Sequence, residues 1–279
     1  MRSQLRSAGS HLILVMASFF ALYPLLWVLK LALSPEQVLS VSAFPLPEDI
    51  SFQHFRELLG KDSGAGAIFA RQFLNSLAVA GMTSVVAIGI ACSAAYGFSR
   101  FRFPGRTMGL GALLLTQIFP GIVMMIPLYI LLDRVGLLNS LVGLSIVYST
   151  TSIPFCIWML KGYFDSLPKD IEEAALIDGA SRFYVFLYVV IPLARPAIAV
   201  TALFSFMTAW NEFILAATLI NDESLFTLPV ALQRFVGEYN TAWGLFAAGA
   251  VVTSAPVMLL FYCLQKHLVG GLTGGAVKG

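Results

Sequence analysis

The sequence predicts an all-α polytopic membrane protein of six transmembrane helices, on three observations. Of 279 residues, 58% are hydrophobic and 11% charged, whereas a soluble globular domain carries about a quarter charged residues. Six stretches reach the roughly 20 apolar residues that a helix needs to cross the hydrocarbon core. The lysines and arginines between these stretches are divided unequally between the two alternating sides.

In chain order the expected spans are Leu12–Leu33, Phe73–Ser99, Met108–Leu132, Leu141–Leu160, Pro192–Ile220 and Thr241–Leu264, together one domain over residues 1–279. The first follows Arg2 and Arg6, but its apolar run exceeds a signal-peptide core, so it is expected to remain as an anchor. An even number of spans places both termini on one side. With the termini in the cytoplasm, eleven lysines and arginines fall on inner segments and six on outer ones, the asymmetry of the positive-inside rule.

Residues 34–71 then form an extracytoplasmic loop broken by Pro45, Pro47, Gly64 and Gly66, with a short helix around Phe52–Leu59 that Ser51 can cap. A second outer loop, 221–240, is long enough to reach away from the bilayer. On the inner side "RFRFPGR" makes a basic turn, residues 161–191 make the largest cytoplasmic element, and residues 266–279 form a glycine-rich tail. Small residues recur in the second and sixth spans ("GMTSVVAIGIACSAAYG", "GLFAAGAVVTSAP"), where they serve close helix packing in a dimer or line a pore.

The net charge of +2 and the lack of basic runs alternating with aromatics point away from nucleic acid. Cys92, Cys156 and Cys263 lie inside apolar spans as small hydrophobes, so neither a disulfide nor a metal is assigned. No G-x-x-x-x-G-K-[ST] loop, HExxH, CxxC or GxSxG occurs, and His11, His54 and His267 are scattered. An autonomous enzyme is not expected; any ATP that drives this chain must be hydrolysed by another. Glu212, beside Asn211 in "AWNEFILA", is the one carboxylate expected deep in a span. It reads either as a functional intramembrane charge or as a carboxylate hydrogen-bonded to Asn211 or a neighbouring helix.

The apolar pattern is interrupted most sharply by "KDIEEAALIDGASR", residues 169–182. Pro168 fits the first turn of a helix, and Asp170, Glu172 and Glu173 complement the positive end of its dipole. Ala174 and Ala175 extend the helix with little side-chain bulk. Asp178 leads into Gly179, a left-handed stop, and Ser181 can start the next helix. A surface helix lying on lipid is usually basic with a bulky apolar face. This one has the opposite charge and small side chains, which suit a helix seated in a groove of another protein.

Glu173-Ala174-Ala175, Gly179 four residues on, and "VVIP" at Val189–Pro192 resemble the EAA loop of ATP-binding-cassette importer permeases, with Val189 for Ile and Ile191 for Leu in its I-x-L-P end. With "RFPGR", "LLDRVGLLN" and the ending "GLTGGAVKG", the resemblance covers nearly the whole chain and is to the maltose/maltodextrin G-type permeases of the carbohydrate-uptake family. It implies a type I importer transmembrane domain in the cell's inner (cytoplasmic) membrane. Its implied partners are a second, F-type permease, two ATPase subunits and an extracytoplasmic sugar-binding protein. ATP and Mg are bound by the ATPase subunits, with no cofactor in this chain.

The same resemblance makes Asp170, Glu172, Glu173, Ala174, Ala175, Asp178 and Gly179 a coupling helix for the ATPase. It places Gly271, Leu272, Thr273, Gly274, Gly275 and Lys278 between the ATPase subunits, where glycine content alone fits a disordered terminus equally well. Val236, Gly237, Glu238, Tyr239 and Asn240 match the loop that meets the sugar-binding protein, with a different tip composition. Maltose, maltodextrin, trehalose and other oligosaccharides stay open as substrates. The competing readings are an ion-coupled secondary transporter that uses Glu212 and a membrane-anchored assembly protein.

Overall fold

The computed structural model describes residues 2–35, 44–47, 49–60, 65–237 and 241–276. Among these there is no strand, and the helices in order are α1 (Arg2–Leu33), α2 (Gln53–Leu59), α3 (Ala65–Arg100), α4 (Arg106–Thr116), α5 (Gly121–Arg134), α6 (Leu141–Ser166) and α7 (Lys169–Ile177). They continue as α8 (Arg182–Leu193), with a π-helical turn at Phe186–Val190, α9 (Arg195–Trp210), α10 (Ile214–Leu219), α11 (Leu228–Gln233) and α12 (Trp243–Ala276).

Among the described residues, four segments are long and apolar enough to cross a bilayer: Gly9–Leu33, Gly66–Arg100, Leu141–Ser166 and Trp243–Lys266. The count reaches six only if two bent pairs are each taken as one span. The expected third span is thus two helices, α4 and α5, bent by 96°. Pro120 is extended (φ −60°, ψ 127°) and disfavours the helical region for the residue before it. Alone, the 11-residue α4 is about 16 Å long, well short of the hydrocarbon thickness.

The expected fifth span is also broken. Arg182–Leu193 and Arg195–Trp210 are bent by 78° at Ala194 (φ −89°, ψ 3°), where Pro196 removes a backbone donor from the first turn that follows. The chain leaves the helix again after Trp210 and resumes it at Ile214.

The chain forms two compact units, residues 1–71 with 230–255, and residues 72–229 with 256–279. In the first, the Ser51 N–H donates to Leu33 O at 2.7 Å, and Ser51 Oγ accepts from the Gln53 N–H at 3.2 Å. This fixes the entry to α2. The buried His54 lies so close to Gly244 that a Cβ there would stand 2.2 Å from Nε2.

In the second unit α3 packs on α6. Ala87, Ala91 and Ala95 of α3 are wholly buried in one cluster with Cys156, Leu160 and Phe164 of α6. Lipid tails are as apolar as leucine, so close approach through small residues, not escape from water, favours this contact. Part of the small-residue pattern therefore serves packing within the chain.

Residues 221–229, the first part of the expected outer loop, are tied to the start of α3. Gln72 Nε2 donates to Glu223 O at 3.1 Å, and Asn75 Nδ2 donates to Ser224 O and Phe226 O at 2.9 and 3.1 Å. The Leu228 N–H donates to Ser76 Oγ at 2.7 Å. Polar side chains at the start of α3 satisfy a segment whose backbone has no ladder of its own.

Candidate functional site

The hairpin of α7 and α8 is built from local rules. Pro168 stands just before α7 with an extended ψ of 128°, outside the first turn where it was expected. At the other end Gly179 has φ +89°. The Gly179 N–H donates to Leu176 O at 3.1 Å, and the Ala180 N–H donates to Ala175 O at 3.0 Å. That pair of bonds is the Schellman closure, which needs a residue in the left-handed region. Ser181 Oγ then accepts from the Tyr184 N–H at 3.2 Å and caps α8.

A period of 3.6 divides α7 into two faces. Asp170, Ile171, Glu173, Ala174, Ile177 and Asp178 are exposed, as is Gly179. Ala175 and Leu176 pack against the α3–α6 cluster. Glu172, expected on the docking face, turns the other way and is only 7% exposed. Arg100 Nη2 lies 2.6 Å from its Oε1, Arg100 Nε donates to the same oxygen at 2.7 Å, and the Tyr96 hydroxyl donates to Oε2 at 3.3 Å. A carboxylate on that face is stable only because it is paired and hydrogen-bonded. Glu172 is therefore an anchor, not a contact.

The network extends to α6. Arg100 Nη1 donates to Ser99 Oγ at 2.9 Å, and Ser99 Oγ donates to Asp165 Oδ1 at 2.6 Å. Asp165 also pairs with Lys161 one turn back. Two long helices thus grip α7 through one chain of charge-assisted bonds. Tyr96, Ser99, Arg100 and Asp165 were not singled out from the sequence. The available signal was Arg100 closing an apolar span, and Glu172 sharing a helical face with Ala175 and Leu176.

Glu212 lies not inside a helix but at the break between α9 and α10. The Leu215 and Ala216 N–H groups donate to its Oε1 and Oε2 at 2.9 and 3.1 Å, and the Tyr148 hydroxyl donates to Oε2 at 2.5 Å. The carboxylate caps one helix and ties it to a neighbour. Asn211 bonds instead to Met207 O at 2.9 Å. Of the expected binding-protein loop, Val236 is half-buried and Gly237 exposed, while Glu238, Tyr239 and Asn240 lie outside the described residues. Gly271, Leu272, Thr273, Gly274 and Gly275 continue the backbone of α12 to Ala276. Lys278 also lies outside the described residues.

A helical domain with several apolar helices long enough to span a bilayer, carrying a short exposed helix pair mounted on two of them by a buried ion pair, defines a multi-pass membrane protein. Residues 86–273 match the family described as binding-protein-dependent transport system inner membrane component, and the chain belongs to it. It is 34% identical over 262 residues to the trehalose transport system permease protein SugB of Mycobacterium tuberculosis, covering 93% of each chain. It is likewise 34% identical over 283 residues to the maltose/maltodextrin transport system permease protein MalG of Escherichia coli K12, covering 97% of this chain and 95% of that one. A bacterial ABC transporter involved in import of the acidic polysaccharide alginate has a chain of the same fold, with TM-score 0.78, 25% identity, and coverage of 95% and 98%. The chain is a permease subunit in the inner membrane, and the ion-coupled reading of Glu212 is set aside.

Proposed function

We propose that this chain is one permease half of an ATP-driven sugar importer and that α7 transmits the movement of a partner ATPase to the membrane helices. The observation that carries the reading is the two-sidedness of α7. Its outer face carries carboxylates and Ala174 together with two exposed isoleucines, Ile171 and Ile177, while its inner face is fixed through Glu172 and Arg100 to α3 and α6. A helix held by one hydrogen-bonded ion pair and a packed cluster moves as a rigid lever, so closing of an ATPase pair around it rotates the spans that it grips.

On this reading the termini and α7 are cytoplasmic, and the segments around 34–71 and 221–240 face outward. Asp170, Glu173, Ala174 and Asp178 meet the ATPase, with Gly179 setting the angle of the hairpin. Residues 271–278 lie against the ATPase pair, and Val236–Asn240 meet an extracytoplasmic binding protein. ATP and Mg are held by the ATPase subunits, a second permease completes the path, and the chain performs no catalysis itself. The names of the relatives support trehalose, maltodextrin or a similar oligosaccharide as cargo.

The test is reconstitution with the partner permease, ATPase and binding protein in liposomes. Sugar uptake that needs ATP and the binding protein supports the reading. Uptake driven by an ion gradient through this chain alone overturns it.

A further inference from the structure

The two broken helices meet on one turn of α6. Gln117, at the α4–α5 break, donates from Nε2 to Thr151 O at 3.2 Å, and Thr151 Oγ1 donates to Tyr148 O at 2.8 Å. Tyr148 in turn holds Glu212 at the α9–α10 break. Helices α6 and α9 run antiparallel, since Phe155 faces Phe204 with ring centroids 4.1 Å apart and the Tyr163 hydroxyl donates to Leu193 O at 3.4 Å. Gln117, Thr151, Thr208 and Asn211 therefore gather near the middle of a spanning segment, and all four are exposed on this chain.

Amides and hydroxyls facing hydrocarbon are disfavoured, so this rim meets water, a polar ligand or protein. The hydroxyl of Thr208 donates to Phe204 O at 2.9 Å, and Asn211 spends one amide hydrogen on Met207 O. The hydroxyl and amide oxygens, and the second amide hydrogens, retain capacity for another partner. The charge pattern selects that partner's class. Residues 107–132, 135–160 and 196–221 contain no lysine, arginine or histidine, and their one carboxylate is Glu212, which is occupied by Tyr148, Leu215 and Ala216. Nothing here matches a carboxylated or phosphorylated ligand. The half-exposed Phe155 and Phe204 rings add an apolar surface of the kind that binding sites pair with a few polar groups.

We propose that Gln117, Thr151, Thr208 and Asn211, beside the Phe155–Phe204 pair, line the translocation path and hydrogen-bond a neutral sugar in transit, so that this subunit itself contributes to selectivity. The proposal rests on the importer reading above. The complete importer is reconstituted with radiolabelled trehalose and maltotriose as neutral probes, and the sugar moved per ATP hydrolysed is measured. The Gln117→Leu/Asn211→Leu double variant is expected to lower that ratio about tenfold and to change the preference between the probes, with the second permease co-purifying in full. An unchanged ratio overturns the proposal. Loss of the second permease also overturns it, by making the rim a packing surface between permeases. If the double variant does not insert, Thr208→Val is read by the same ratio and judged in the same way. A wild-type complex that carries neither these probes nor any other neutral oligosaccharide supplied with its binding protein overturns the sugar reading itself, a failure distinct from that of the rim.

Discussion

At the scale of single residues, the pair of Arg100 and Glu172 carries the most consequence. Their side chains are 6% and 10% exposed, and removing one partner of a buried pair leaves an uncompensated charge that costs about 3–5 kcal/mol. Glu172→Met and Arg100→Met are each expected to loosen α7, seen as faster proteolysis at residues 169–181 and loss of the co-purifying ATPase. The double variant should recover much of the loss, because two apolar side chains strand no charge; a double variant as fragile as either single one would contradict the anchoring role. Glu212 has a different task, since it caps α10 and accepts from Tyr148. Glu212→Gln retains an acceptor and should cost little in transport. Glu212→Leu loses the cap and orphans the Tyr148 hydroxyl, and should cost about 2–4 kcal/mol, read as a lower melting temperature of the purified complex. The sequence made both carboxylates conspicuous but not their directions. Direction depends on Arg100, 72 residues away from Glu172, and on a helix break that hydropathy does not register.

At the scale of elements, the spans that were legible were those formed by one unbroken helix. Leu141–Ser166 and Gly66–Arg100 follow directly from apolar length. The α4–α5 and α8–α9 pairs contain equally apolar residues, but an apolar window measures composition and is blind to direction. Pro120, Pro192 and Pro196 were the available warnings, since each limits the helical hydrogen bonds around it. The α7 hairpin was legible because its determinants are local: a glycine stop, a serine cap and small residues between. Gly179 shows how much that junction depends on backbone. A Cβ there would meet nothing within 4 Å, so any effect of Gly179→Val comes from φ +89° alone. That strain is about 1–2 kcal/mol, more for a β-branched residue, and too small to unfold the subunit. The variant should reach the membrane at a normal level yet lose binding-protein-stimulated ATP hydrolysis, because α8 leaves α7 at a different angle. Full stimulation would show that the hairpin angle is not part of coupling.

At the scale of the whole molecule, the distribution of apolar surface separates what the bilayer needs from what partners need. Every candidate span ends by Lys266, although α12 continues to Ala276. The last turns of that helix contain Gly270, Gly271, Gly274 and Gly275, and each glycine inside a helix costs about 1 kcal/mol relative to alanine. A glycine-rich extension beyond the membrane is a poor helix by itself and an effective one only where another surface holds it. Deleting residues 271–279 should therefore leave insertion and span packing intact, because none of the deleted residues lies in a candidate span. It should weaken attachment of the ATPase pair, because a holding surface would lose its ligand. The decisive comparison is between two measurements on the truncated subunit expressed with its partners: its level in the membrane and the amount of ATPase retained through purification. A normal membrane level with several-fold less ATPase supports a docked tail. Full retention together with full transport would make the extension a passive end, and a vanished membrane level would move its role from docking to folding.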